Sequence, residues 1–501
     1  MLSPHETRIV QLQARRLNWT GQLVCTLTIA FSLANATPSL AEIDSDLYPN
    51  IVVIMADDMG FGDPGCNNSE SKIETPNINR IANEGLRFTD AHSPASWCTP
   101  TRYGLLTGRY PFRTSLGWRH RPVIEENRLT LPAMLSAHGY RTAMVGKWHL
   151  GFTVEDLAEV HQGGPVDRGF SSWFGIPASL DIPPYYYIEG KRAVAPPTDS
   201  IGDMNTKGWS PIQGEFWRAG GLAPGFKHVD VLPTLTARAE KEILAHGKSN
   251  ADKPLFLYLA LPAPHTPWVP TKEFAGRSKV PLYGDFVMQV DATVGRVLAA
   301  LDEAKMTEDT LVVFTSDNGP VWYEEDEVKY GHRATSIYRG MKGDAWEGGH
   351  RMPFVVRWPA RINAGRVTNQ LACHTDLFST CASIVGHDLP EDAAEDSIDL
   401  SGVLTGEADE SKRLRETLIV NSTGAFLTVR SGSWKLIPFR GSGGFSKPRV
   451  IRDVPRGEPK GQLYDLAADP AETKNLYDEH PEIVKELTTL TNESRKSGRT
   501  R

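Results

Sequence analysis

PNIVVIMADDMGFGD, residues 49–63, opens on an unbroken apolar run, Ile51–Ala56, and closes on two adjacent acids, Asp57 and Asp58. A short, bounded, β-branched-rich run without polar alternation is the pattern of a strand buried on both faces. The pattern recurs. YRTAMVGKWHLG (140–151) ends in Lys147 and His149, KPLFLYLALPAPHTPW (253–268) ends near His265, and DTLVVFTSDNGP (309–320) ends in Asp317 and Asn318. Stretches of helical texture lie between: ETPNINRIANEGLRF (74–88), TLPAMLSAHG (130–139), VLPTLTARAEKEILAHG (231–247) and YGDFVMQVDATVGRVLAALDEA (283–304). The alternation predicts an α/β fold: a large mixed, mostly parallel sheet with helices on both faces. In such sheets ligands bind beyond the carboxyl ends of the strands. All four runs place their unusual polar residues there.

Asp57, Asp58, Asp317 and Asn318 offer oxygen ligands alone, the donor set of a hard cation such as calcium or magnesium; a zinc site would draw more on His and Cys. Taken singly, each has an ordinary alternative: a helix cap or solvated turn for Asp57 and Asp58, an Asp-Asn-Gly turn at 317–319. The second set is cationic. Arg102 follows Cys98 in SPASWCTPTRYGLLTGRY (93–110), Lys147 and His149 flank Trp148, His265 sits in PHTPW (264–268), and Lys342 sits in a Gly-rich turn. A metal with Arg, Lys and His on one rim binds a tetrahedral oxyanion and stabilises charge as it develops. Individually, Lys147 reads equally as a surface lysine, His265 as a satisfied loop histidine and Arg102 as a cap. Cys98 reads locally either as a reactive thiol beside an arginine or as one more small buried residue.

The bulk numbers bound the rest. The 501 residues are 40% hydrophobic and 23% charged, enough for a real core and too many residues for one ordinary domain. With 54 basic and 61 acidic residues the net charge is −7, and no basic stripe suggests nucleic-acid binding. Arg15 and Arg16 precede the apolar run LVCTLTIAFSLANA (23–36), followed by small residues. This reads as a signal peptide over 1–41, cut after Ala36 or Ala41, so an exported protein, periplasmic or secreted. The run is short of the ~20 residues of a bilayer span, and no later segment is apolar enough to form a stable one. Four of the five cysteines, Cys66, Cys98, Cys373 and Cys381, lie beyond the signal, too few for a disulfide scaffold; a Cys373–Cys381 pair stays open.

These residues carry a family resemblance. CTPTR (98–102) is similar to the Cys-X-Pro-X-Arg core of type I sulfatases, and LLTGRY (105–110) extends it. GYRTAMVGKWHLG (139–151) resembles the family's second signature, and ADDMG, PHTPW, TSDNG and GMKGDAWEGGHRMP (340–353) resemble its other active-site blocks in order. The likeness spans about residues 49 to 480. It implies an alkaline-phosphatase-like fold and hydrolysis of sulfate monoesters. It also implies that Cys98 is oxidised to Cα-formylglycine (3-oxoalanine) by a formylglycine-generating enzyme or equivalent maturation system. Residue 98 with Asp57, Asp58, Asp317 and Asn318 would hold one Ca2+ ion. Arg102 would steady the metal region, Lys147 and Lys342 would bind sulfate, His149 would be the base, and His265 with Lys342 would assist the leaving oxygen. The hydrated aldehyde explains why a cysteine is encoded. A gem-diol nucleophile has two oxygens on one carbon, so the covalent sulfo-enzyme it forms releases sulfate without water striking sulfur.

Residues 163–228 are aromatic, Gly- and Pro-rich, suited to loops that roof a pocket. Tyr185, Tyr186, Tyr187, Trp209, Trp217 and, further on, Trp322 are candidates for stacking on a sugar ring or aromatic group, with ordinary packing as the alternative. Arg218, Lys227 and His228 are candidates for further anionic groups. The expected organisation is a catalytic domain over 42–395 and a C-terminal α+β subdomain over 396–501: a small antiparallel sheet, a last helix, and a mobile or substrate-facing loop at 441–461. A sulfated glycan or small molecule is the expected substrate, a carbohydrate before an aryl ester. The competing functions are a phosphate or phosphonate ester hydrolase of the same superfamily and a non-catalytic glycan-binding relative.

Overall fold

The structure is a computed structural model that describes residues 48–116, 121–249, 253–422 and 426–501. The signal-peptide reading, Cys25 included, lies outside the described residues. The main sheet contains, in chain order, β1 (Asn50–Asp57), β2 (Leu86–Phe88), β3 (Arg141–Lys147), β4 (Ser172–Ile176), β5 (Ile188–Glu189), β6 (Arg192–Ala193), β7 (Leu255–Pro264), β8 (Thr310–Ser316), β9 (Phe354–Arg357) and β10 (Arg366–Thr368). Their spatial order is β10-β2-β9-β8-β1-β7-β3-β4-β5-β6. The run that opens the chain's pattern is the middle of it: β1 pairs in parallel with β7 and β8, and β3 pairs in parallel with β7 and β4. β9 runs antiparallel to both of its neighbours, and β5 and β6 close the other edge antiparallel. The sheet is therefore mixed and mostly parallel at its centre, as the alternating runs imply.

The parallel centre is apolar because both of its faces are covered. Ile51–Ala56 and Leu255–Leu261 are buried throughout. Gly146 in β3 has φ +118°, and a Cβ there would overlap the Ala260 carbonyl of β7. Only glycine lets the two strands approach at that rung. Helices α1 (Pro76–Asn83), α4 (His228–Ser249) and α5 (Tyr283–Glu303) form one packed group; α2 (Cys98–Thr107), α3 (Leu131–Ala137) and the helix Asp376–Ile384 form another. One helical expectation is only half met. Within ETPNINRIANEGLRF the helix stops at Asn83, and Leu86–Phe88 is strand β2, held in register between β9 and β10. Gly85 follows the break, and a Cβ there would overlap the Val356 carbonyl, so only glycine lets the chain enter β2 this close to β9.

Beyond residue 400 a second sheet forms from β11 (Thr417–Asn421), β12 (Leu427–Ser431), β13 (Trp434–Ile437) and β14 (Gln462–Asp465), antiparallel in that order. The last helix, Pro481–Ser497, packs on β12 and β13 and buries Leu487 in one apolar cluster with Leu418, Val420 and Leu436 of that sheet. A buried ion network joins the two sheets. Lys435 of β13 places Nζ 2.9 Å from Glu347 and 2.8 Å from Glu472, and Arg430 of β12 bonds Asp90, which Arg351 also holds at 2.7 Å. Cys66, Cys98, Cys373 and Cys381 are all free thiols.

Candidate active site

Each central strand delivers its polar residues to one place. β1 ends on Asp57 and Asp58, and β8 leads into Asp317 and Asn318. β3 ends on Lys147 with His149 two residues on, and β7 leads into His265. Cys98 is the first residue of α2, with Arg102 one turn along it. Lys342 arrives from the turn before β9. All of them except His149 are under a tenth exposed, Lys147 and Arg102 wholly buried. The surface-lysine alternative is thereby overturned, while Arg102 does cap a strand end, at the Lys147 carbonyl, in addition to its place in the site. Asp58 and His149 are non-glycine residues with φ of +65° and +57°. Left-handed backbone at two strand exits is costly and is typical of functional sites.

Acids and bases interlock. Arg102 donates from Nε (3.1 Å) and Nη2 (2.8 Å) to Asp317 Oδ2, lies 3.6 Å from Asp57, and donates from Nη1 to the Lys147 carbonyl at 3.1 Å. Lys147 Nζ is hydrogen-bonded to Asp57 Oδ2, and Lys342 Nζ lies 2.7 Å from Asp58 Oδ1. Asn318 Nδ2 donates to Asp58 Oδ1 at 2.6 Å. His265 Nδ1 donates to the Thr266 carbonyl at 2.7 Å, which leaves Nε2 toward Asp58, 3.7 Å away. The Cys98 thiol, the Asp57 and Asp58 carboxylates and His265 present ligand atoms all within 4.8 Å of one another.

The charges set the protonation states. Burial acts to raise the Asp57 carboxyl, but Lys147, then His265, Arg102 and Lys342, hold it well below the usual range. Asp317 is pushed up to about 6 by burial and by Asp57. Burial, then Lys147 and Arg102, hold His149 well below the ordinary imidazole value, so it is neutral at pH 7. Burial acts to lower Lys342, yet Asp58 raises it, so it stays an ammonium. Burial drives the Cys98 thiol up to about 12. A buried thiol raised in this way is a poor nucleophile by itself.

The donor set fits a hard cation. Asp57 Oδ1 and Asn318 Oδ1 are buried without a hydrogen-bond partner, a cost that a bound cation would remove.

A cavity of about 700 Å³ opens above these groups. Cys98, Asp58, His149, His265 and Lys342 form part of its lining; Phe152, Ile182, Phe216 and Phe445 make much of the rest apolar. Of the aromatic residues expected to meet substrate, Tyr186 reaches the cavity. Tyr185 and Tyr187 instead pack around Phe226, Trp217 stacks on His228, and Trp209 and Trp322 join Trp268, Tyr283 and Tyr330 in a packed aromatic cluster. Large rings in a long insertion are needed first to give that insertion its own core. Of the basic candidates Arg218 lines the cavity, paired with Asp181; Lys227 is exposed and His228 is buried under Tyr185 and Trp217. Ser179, Asp181 and Phe445 also line the cavity; they lie in stretches expected to face a pocket, but the sequence does not single them out. Ser179 Oγ and Asp181 Oδ1 are buried and have no hydrogen-bond partner. Nothing in ASLDIPP distinguishes them from ordinary loop residues.

Comparison with known proteins gives a consistent result. The family model described as Sulfatase matches residues 49–387. N-acetylgalactosamine-6-O-sulfatase of Bacteroides thetaiotaomicron is 34% identical over 481 residues, covering 88% of this chain and 92% of the relative. Arylsulfatase A of Homo sapiens is 34% identical, covering 93% and 89%. A solved structure from work on the metabolism of multiple glycosaminoglycans by Bacteroides thetaiotaomicron superposes with a TM-score of 0.79 at 33% identity, covering 90% of this chain and all of the other.

Proposed function

We propose that this chain, which belongs to the sulfatase family and hydrolyses sulfate esters, takes its sulfate from a carbohydrate. The observation that carries this reading is the pair Ser179 and Asp181. They line the same cavity as Cys98 and Lys342, and each keeps a buried polar atom without a hydrogen-bond partner, Asp181 Oδ1 lying 3.9 Å from His265 Nδ1. Unpaired buried polar groups are costly, and a ligand rich in hydroxyls supplies what they lack. The likeness to N-acetylgalactosamine-6-O-sulfatase supports the same class, and a 6-O-sulfated N-acetylhexosamine is the first candidate.

Cys98 is the precursor of the nucleophile, oxidised to formylglycine by a maturation enzyme. The CTPTR motif at 98–102, inside the stretch that the family model matches, supports this role. Asp57, Asp58, Asp317, Asn318 and residue 98 would hold the metal ion that the family uses, and their oxygen-only chemistry suits calcium. Bound there, such an ion and the hydrated aldehyde supply an oxygen nucleophile of lowered pKa. The chain's own residues do the rest. Lys147 and Lys342 receive the sulfate oxygens and neutralise the charge that would repel attack. Arg102 binds Asp317 and the Lys147 carbonyl at once, so it aligns the acidic and basic halves of the site. Lys342 and the Nε2 edge of His265 face the leaving oxygen. His149, neutral and with Nδ1 unpartnered, accepts the proton when sulfate is expelled. Residues 1–41 serve export to the periplasm or medium. Among the described residues no helix is long and apolar enough to cross a membrane.

The test is a panel of defined sulfated saccharides, with para-nitrophenyl sulfate and phosphate alongside, given to enzyme whose residue 98 has been verified by mass spectrometry. Sulfate release from at least one saccharide, with Asp181→Asn lowering that rate by about tenfold or more, is the expected result. Turnover of aryl sulfate alone across the panel overturns the carbohydrate assignment.

A further inference from the structure

The 441–446 segment of the C-terminal sheet's long connection enters the active site, and its attachment is unusually close. Ala345 N donates to the Ser442 carbonyl at 2.6 Å. Asp344 joins the two segments through one carboxylate: Oδ2 accepts from Met341 N at 3.0 Å and Oδ1 from Ser446 N at 3.1 Å. Gly444 lies so near the 343–344 backbone that a Cβ would overlap the Gly343 carbonyl. The turn between these contacts carries Lys342, and Gly343 N donates to the Ser96 carbonyl, two residues before Cys98, at 2.7 Å. Phe445 projects from the pinned segment and lines the cavity, with the Arg449 guanidinium 5.5 Å from its ring centroid and Arg449 Nε donating to the Gly444 carbonyl at 2.7 Å. The base of the segment is held as well, since Gln462 of β14 donates to the Phe439 and Gly441 carbonyls at 3.0 and 2.8 Å.

We propose that Phe445 is a specificity-determining residue, supplied by the C-terminal region, that receives the apolar face of the sugar ring bearing the sulfate. The inference rests on the carbohydrate reading for the identity of that ring. Phe445 is partly exposed and lines the cavity, and sugar faces stack on aromatic rings so placed. Pinning to the Lys342 turn gives the ring a fixed height above the sulfate-binding groups. A substrate must then fit both the anion site and this wall. Smaller or differently oriented carriers lose the contact while keeping the anion contacts, which is how a rigid wall discriminates.

Two variants test it, read by kcat/KM on the best saccharide ester and by the Ki of inorganic sulfate, which has no carrier. Phe445→Ala is expected to lower kcat/KM by about tenfold with the sulfate Ki changed by less than about twofold. Gly444→Ala displaces the pinned segment from the Lys342 turn, so both quantities worsen together. An unchanged kcat/KM in Phe445→Ala, or a Ki that rises in step with its loss, overturns the proposal. If wild-type enzyme turns over only aryl esters, the carbohydrate reading fails separately; Phe445→Ala is then read on that ester, where an unchanged kcat/KM again overturns the role of the residue.

Discussion

Replacing Lys435 by Met tests whether the C-terminal sheet is held by charge. Lys435 is 1% exposed, and its Nζ contacts Glu347 Oε1 (2.9 Å), Glu472 Oε1 (2.8 Å) and His350 Nε2 (3.1 Å). Methionine matches the stem and removes the charge. Glu347 keeps a partner, since Arg351 Nη2 lies 2.6 Å from its Oε2. Among the described residues the Glu472 carboxylate then keeps the Glu347 backbone N–H on Oε2, at 2.6 Å, as its hydrogen-bond partner. Breaking a buried pair in this way costs about 3–5 kcal/mol. For a unit of this size that is roughly 1 °C per kcal/mol, hence a drop of about 3–5 °C in the unfolding midpoint. Burial, opposed by Lys435 and assisted by Glu347, already raises Glu472 to about 7. Without Lys435 it rises further. An acid whose folded pKa exceeds its unfolded value loses stability as pH climbs between the two values. The Lys435→Met defect is therefore larger at about pH 8 than at about pH 6. Urea unfolding followed by tryptophan fluorescence at both pH values is the assay, with Lys435→Met/Glu472→Gln expected to recover part of the loss. A defect below about 1 kcal/mol, or one independent of pH, refutes the reasoning.

Three further outcomes follow. Cys98→Ser lowers turnover by at least about 10³-fold, and mass spectrometry of the wild-type peptide finds an aldehyde; an intact thiol in fully active enzyme contradicts the role of residue 98. Removing divalent metal with a chelator abolishes activity and lowers the unfolding midpoint, and calcium restores both; unchanged values in metal-free protein remove the ligand assignment from Asp57, Asp58, Asp317 and Asn318. Burial holds His374 down to about 3, so its contribution is complete above about pH 6.5 and about 2 kcal/mol is lost by pH 5 as the unfolded imidazole protonates first. His374→Gln flattens that acid limb in urea titrations, and an unaltered slope rejects the assignment.

The chemistry of the site was legible because strand periodicity carries positional information. A buried parallel strand has to end somewhere, and the first polar residues after it fall at the ligand-binding edge. Asp57, Lys147, His265 and Asp317 were thus placed together by four local readings. Residues 86–88 escaped the same logic: three residues are too few to show a period, and what makes them a strand is pairing with β9 and β10, which come from far along the chain. The aromatic insertion misled because a ring that packs and a ring that binds have the same composition.

By itself the sequence determined the central sheet and the donor chemistry at its carboxyl edge, since each depends on residues close in the chain, and the CTPTR motif at 98–102 marked the family. Tertiary structure alone decided which side chains of the 163–228 and 441–461 loops line the cavity. Ser179, Asp181 and Phe445 lie in loops whose paths are set by packing against elements up to hundreds of residues away, and neither composition nor spacing encodes where such a loop comes to rest.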